Sequence, residues 1–141
     1  MKLDLTSLRK AIESLERAVS LTNDDTFFAG LSDEARETIK SGVIQNFEVA
    51  YEPCWKYVQR WLRENHPAEQ AEIPRARKEL FRLAARFGLI EDPLPWFAYG
   101  DARNLTSHTY NEDTAESVFQ TAILFAKDAR QLLQKLQESN E

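Results

Sequence analysis

The sequence predicts an all-α protein, a five-helix antiparallel (up-and-down) bundle that forms a single domain over residues 1–141. Three observations predict it. Leu, Ala, Glu, Gln, Arg and Lys dominate, whereas Val and Ile are sparse and nowhere alternate over a full strand length. Glycine occurs only at Gly30, Gly42, Gly88 and Gly100. Apolar residues recur at steps of three and four in several separate stretches, the period of a helix that buries one face. A chain of 141 residues is one domain by default, and a domain of that size buries roughly 70% of its unfolded surface.

Each helix has its own signals. Leu5, Leu8, Ile12, Leu15 and Val19 form one stripe, with Lys10, Glu13, Glu16 and Arg17 off it. That helix runs over about residues 6–22, Thr6 or Ser7 can cap it, and Asn23-Asp24-Asp25 breaks it. Ser32, followed by Asp33 and Glu34, opens a second helix over about 33–65. Its wide apolar face (Val43, Phe47, Ala50, Cys54, Val58, Trp61) suits the most buried position in the bundle. Pro53 removes a hydrogen bond to the Val49 carbonyl. It either kinks this helix or splits it in two, and the unbroken periodicity favours the kink. His66-Pro67 ends the helix and 67–73 reads as loop. Pro74 starts a third helix carrying Leu80, Leu83, Ala84 and Phe87, with Gly88 as its stop. Asp92-Pro93 opens a fourth, with Trp96, Tyr99 and Ala102 inward, which gives out around Thr106 or Ser107. The last begins between Asn111 and Thr114 and buries Val118, Ala122, Phe125, Ala129, Leu132 and Leu136, leaving the tail QESNE solvated.

Composition excludes several functions. Eighteen basic against 23 acidic residues give a net charge of −5, so any nucleic-acid contact must use a local patch. Such a patch is offered by Arg75, Lys78, Arg82 and Arg86, which step three, four and four along the third helix. The same stripe also reads as an ordinary solvated face paired with Glu72 and Glu79. Cys54 is the one cysteine, so no disulfide framework and no Cys-based zinc site is available, and a reducing compartment is expected. No Gly-rich phosphate loop occurs. Two histidines cannot build a multi-histidine metal site, and no metal or other cofactor is expected. No apolar run approaches the ~20 residues of a membrane span, and MKLDLTSLRK lacks the apolar core of a signal peptide. A cytoplasmic protein with no membrane association is expected.

Chemistry concentrates in Asp101-Ala-Arg-Asn-Leu-Thr-Ser-His-Thr-Tyr110. Five residues along a continuous helix turn through about 500°, so Arg103 and His108 would not share a face. If the helix ends near Ser107, the chain can turn His108 back beside Arg103. A fixed cation next to a group that titrates near neutrality suits phosphodiester chemistry without metal. The alternative is simple capping and surface ion pairing. His66, at its helix end, reads as a cap or surface residue. Trp55, Trp61, Phe47 and Phe125 read as core or interface, and Cys54 as buried and inert.

Arg103, four residues, His108, Thr109 and Tyr110 match the R-x4-H-x-Y motif of HEPN domains. The string RNLTSHTY resembles the bacterial nucleotidyltransferase substrate-binding branch of that family, and the resemblance extends to FEVAYEPCWKYVQRWL and to nearly the whole chain. Pro53 departs from the helix-friendly residue expected there. The resemblance implies a dimeric, metal-independent ribonuclease that is the toxin of a toxin–antitoxin pair. In it His108 is the general acid or base, Arg103 stabilises phosphoryl charge, and Asn104 orients substrate or histidine. It implies a cognate minimal nucleotidyltransferase as antitoxin, which modifies Tyr110 with AMP. Tyr110 also reads as a packing residue or as a catalytic one that aids proton transfer or stacks a base. The rival function is a non-catalytic substrate-binding subunit of that nucleotidyltransferase. A structural helical adaptor survives only if the motif is chance.

Overall fold

The computed structural model describes residues 2–66 and 76–140. They form α1 (Thr6–Asn23), α2 (Asp25–Ala29), α3 (Asp33–Asn65), α4 (Arg77–Arg86), α5 (Pro93–Leu105), a 3-10 turn (Thr106–His108) and α6 (Glu112–Ser139). The expected count of five is corrected to six α-helices among the described residues. The addition is α2, one short turn: Asp24, whose extended backbone ends α1, accepts from the Phe27 N–H with its side chain at 3.1 Å and starts a new helix. The expected loop at 67–73, the start at Pro74 and Arg75 lie outside the described residues.

Local chemistry sets the helix ends. α1 has no side-chain cap from Thr6 or Ser7; instead Asp4 Oδ1 accepts from the Thr6 N–H at 3.0 Å, and Ser7 Oγ lies 3.2 Å from the Tyr57 hydroxyl. Ser32 Oγ accepts from Ala35 N–H at 3.1 Å, Asp92 Oδ1 from Leu94 N–H at 3.0 Å, and Asn111 Oδ1 from Thr114 N–H at 3.1 Å. α3 continues through Pro53 as one helix. The Val49 carbonyl that Pro53 leaves unbonded belongs to an exposed residue, where water can serve it. α4 stops at Gly88, whose φ of +81° lets Leu89 N–H reach back to the Ala84 carbonyl at 3.0 Å. The C-terminal tail is tied down as well as solvated. α6 persists to Ser139, and Asn140 exchanges two hydrogen bonds with the Leu3 backbone at 3.0 and 2.9 Å.

α1, α3 and α6 pack on one another, α5 lies against α6, and α4 bridges α3 and α5. The core contains Leu8, Ile12 and Leu15 of α1, Phe47, Tyr51 and Val58 of α3, and Phe125, Leu132 and Leu136 of α6. Phe125 sits at its centre, edge-on to Phe47, Trp96 and Tyr99 at 5.1–5.8 Å between ring centres. Edge-on pairs of this kind add about 0.5–1.5 kcal/mol each beyond burial. They fix α5 against α3 and α6, and so fix where α5 ends. His66 is half-buried and stacks on Phe87, with ring centres 3.7 Å apart. Cys54 is fully buried, and burial raises its thiol well above the ordinary range. Among the described residues no helix is long and apolar enough to cross a membrane.

Candidate active site

α5 ends because Thr106 competes for its last turn. The Thr106 N–H bonds to the Arg103 carbonyl, and the Thr106 hydroxyl lies 2.8 Å from the same oxygen. The backbone tightens into the 3-10 turn Thr106–His108, crosses a short link and re-enters helix at Asn111. Arg103 therefore sits in the last turn of α5, where a cation also complements the helix dipole. His108 sits at the end of the tight turn.

Arg103 is held by α3. Its Nη1 donates to Thr106 Oγ1 at 3.1 Å and lies 3.3 Å from Glu48 Oε2, and its Nε is 3.2 Å from Glu52 Oε1. The Nε–H is off the line to that oxygen, so this last contact is an ion pair without an aligned hydrogen bond. Glu48 Oε2 is also 2.7 Å from the Thr106 hydroxyl. Glu52 Oε2 accepts from Trp55 Nε1 at 3.1 Å and lies 3.5 Å from Arg77 Nη2. The Arg77 guanidinium rests 4.9 Å over Trp55 and 5.4 Å over Tyr51. Two carboxylates and two guanidiniums thus form a neutral chain, Glu48–Arg103–Glu52–Arg77. All four side chains are only about a third exposed, so each is positioned with little freedom. Arg103 Nη2 makes no hydrogen bond among the described residues.

The other predicted residues lie around this chain. His108 is exposed, and its ring is 6.1 Å from that of Tyr110. Among the described residues no hydrogen bond joins His108 to Arg103, which turns to α3 instead. Asn104 is exposed beside Arg103, and Tyr110 is 85% exposed. Lys78, Arg82 and Arg86 are exposed along α4. Arg82 is ion-paired to Glu79 and lies 5.0 Å over Phe97, Lys78 lies 5.8 Å over the same ring, and Arg86 covers Phe87. Among the described residues no three His, Cys, Asp or Glu side chains gather as a metal-ligand set.

Glu48, Glu52, Thr106 and Arg77 are the residues that sequence reasoning missed. The signal was a pair of glutamates four apart in FEVAYEP, which places both on one helical face. Arg77 was passed over because it breaks the three-four-four spacing of the α4 stripe, and that break is what turns it toward α3.

Residues 3–138 match the family model described as nucleotidyltransferase substrate binding protein like. The chain belongs to that family. Within it, the chain is 35% identical over 140 residues to a Haemophilus influenzae protein named "Probable ribonuclease HepT", covering 99% of this chain and 96% of that one. It is similar to a solved Haemophilus influenzae structure, described as having the fold of a substrate-binding domain of a nucleotidyltransferase. That match has 34% identity and a TM-score of 0.87, and it covers 95% of this chain and 99% of the other. A Thermus thermophilus structure matches at 30% identity and a TM-score of 0.70, over 92% and 98% of the two chains. The likeness to HEPN proteins of the nucleotidyltransferase substrate-binding kind, expected from RNLTSHTY, is thus met at the level of the family.

Proposed function

We propose that the protein is a metal-independent endoribonuclease, the toxin of a cytoplasmic toxin–antitoxin pair. The observation that carries this reading is the state of Arg103. α3 grips it through Nε and Nη1 and leaves Nη2 for a phosphate, at the same helix junction that presents an exposed His108. The name of the Haemophilus relative supports the same reaction class.

The chemistry follows from these groups. His108, as the general base, takes the proton of an RNA 2′-hydroxyl. The freed oxygen bonds to the adjacent phosphorus, and the bond from phosphorus to the 5′-oxygen breaks. That oxygen takes a proton from an imidazolium, leaving a 2′,3′-cyclic phosphate and a 5′-hydroxyl. Arg103 Nη2 meets the charge that builds on the phosphoryl oxygens. Asn104 orients the strand, and Lys78, Arg82 and Arg86 with Arg75 guide its backbone. Because no hydrogen bond joins His108 to Arg103 within one chain, a symmetric homodimer completes the site: two-fold symmetry sets a second copy of the motif across one groove. DNA lacks the 2′-hydroxyl and is not cut.

The antitoxin in this reading is a cognate minimal nucleotidyltransferase. The Tyr110 hydroxyl attacks the α-phosphorus of ATP, the α–β bond breaks, pyrophosphate leaves and the phenol proton passes to the partner's base. The exposure of Tyr110 supports it as an acceptor. The attached phosphodiester then competes with RNA for Arg103.

The test is incubation of the purified protein with total RNA in EDTA. Cleavage is expected to persist there and to be lost in Arg103→Ala and His108→Ala with helicity unchanged. Cleavage that disappears in EDTA and returns with magnesium overturns the mechanism. The second reading, a non-catalytic substrate-binding subunit, is favoured by the description of the Haemophilus structure. It predicts a folded protein that binds the nucleotidyltransferase, cuts no RNA and does not stop growth when expressed alone.

A further inference from the structure

A cleft of about 340 Å³ opens between α3, α4 and α5, on the side of α5 next to Arg103. That volume lies at the lower end of small-ligand pockets, which run from about 300 to 1,000 Å³. Tyr51 reaches its inner end, fully buried, and among the described residues its hydroxyl makes no well-aligned hydrogen bond, the Arg77 guanidinium being the nearest donor. An unpaired buried hydroxyl is costly, so this one stands out against a core whose other hydroxyls, on Tyr57 and Tyr99, are both bonded. Gly100 forms the wall beside it, and a Cβ there would sit 3.0 Å from the Tyr51 oxygen. Trp96 and Phe97 supply aromatic walls, Asn104 supplies amide donors and an acceptor, and Arg77 and Lys78 supply positive charge, offset in part by the Asp101 carboxylate.

We propose that this cleft is a nucleobase subsite, which takes the unpaired base next to the phosphate held by Arg103; the proposal rests on the ribonuclease reading. Flat aromatic walls stack a base, and Asn104 and the Tyr51 hydroxyl read its hydrogen-bonding edge. Arg77 and Lys78 donate to the adjoining phosphate. Two links join the cleft to Arg103. Asn104 is the next residue on α5, and Glu52, next to Tyr51, is shared between Arg103 and Arg77. For a base to touch the Tyr51 hydroxyl, the Arg77 guanidinium must slide from its place 5.4 Å over the ring. That movement loosens Arg77 from Glu52 and strengthens the hold of Glu52 on Arg103, so base binding and phosphate binding support each other.

The experiment titrates His108→Ala, which binds without cutting, with the RNA hexamers A6, C6, G6 and U6 and with the four mononucleotides. The readout is the Trp96 indole N–H signal in NMR. Stacking is worth about 1–3 kcal/mol per base, so one base class is expected to bind about fivefold or more tighter than another. Adding Tyr51→Phe or Phe97→Leu is expected to shrink that preference below about twofold, while the salt-dependent part of binding remains. Equal binding of all four hexamers, or a preference that survives both substitutions, overturns the proposal. Mononucleotides that bind as tightly as hexamers overturn the assignment to an RNA strand in favour of a free-nucleotide site. A wild type that cuts no RNA, with the base preference intact, upholds the subsite and overturns the ribonuclease reading alone.

Discussion

At the scale of residues, Arg103 is a positioned cation rather than a free one. Glu48 and Glu52 fix its Nη1 and Nε edges, and with them gone it would sample several rotamers. Glu48→Gln and Glu52→Gln are expected to lower RNA cleavage about tenfold each while the far-ultraviolet circular dichroism stays unchanged, since positioning errors of this kind cost orders of magnitude in rate. His108→Ala is expected to cost about 10²–10⁴ in rate, the usual worth of a general acid or base. These glutamates show how far a sequence carries the site. The motif from Arg103 to Tyr110 is contiguous and was legible, and so was the helix end that separates its two halves. Glu48 and Glu52 look like any charged pair beside an apolar stripe, and their role depends on α5 crossing α3 at that level. The buried hydroxyls make a further prediction. Tyr51 and Tyr99 hold their protons more strongly than free tyrosine because burial disfavours phenolate, reinforced for Tyr99 by its bond to Asp128. Burial does the same to the Cys54 thiol. The unfolded chain therefore loses these protons first. Stability should fall as pH rises past about 8.5 for the cysteine and about 10 for the tyrosines. Urea denaturation of Tyr99→Phe should show a shallower alkaline decline than wild type; an identical decline contradicts the assignment.

At the scale of elements, two glycines separate propensity from geometry. Gly42 lies inside α3, and an added Cβ there meets nothing within 4 Å. Gly42→Ala should stabilise by about 0.5–1 kcal/mol, the usual penalty of a mid-helix glycine. Gly88 has φ +81° and ends α4. Gly88→Ala should destabilise by roughly 1–2 kcal/mol, the cost of a left-handed backbone for an L side chain. Equilibrium urea midpoints for the two variants should move in opposite directions. The long helices were legible because stripes such as Leu8, Ile12, Leu15 and Val19 repeat over enough turns to define a face. α2 was not, because five residues make little more than one turn, too few for a face to repeat. The start of α1 at residue 6 was legible, but its cap was misassigned to Thr6 or Ser7, because Asp4 captures the Thr6 N–H instead. The anchoring of the tail went unseen because the contact between Asn140 and Leu3 joins opposite ends of the chain.

At the scale of the whole molecule, the bundle serves to bring the junction between α5 and α6 against the outer side of α3. Val49 on α3, Leu105 at the end of α5 and Leu124 on α6 remain exposed, and burying them in a symmetric dimer would relieve that cost. Light scattering at micromolar concentration is expected to give twice the mass of one chain. A stable monomer that retains activity contradicts the shared groove. Co-expression with the cognate nucleotidyltransferase is expected to add one or more AMP units, absent in Tyr110→Phe, which should remain a ribonuclease. A wild type without added mass beside an active partner means that simple binding neutralises it. In the proposed mechanism Arg103 and His108 drive attack by an RNA 2′-hydroxyl on its own phosphorus. The most direct test is a short RNA carrying a single 2′-deoxy nucleotide on the 5′ side of the mapped cut. This strand is expected to stay uncut there, while its all-ribose twin yields a 2′,3′-cyclic phosphate and a 5′-hydroxyl in EDTA. Equal cutting of both strands, or products ending in a 5′-phosphate, would contradict it.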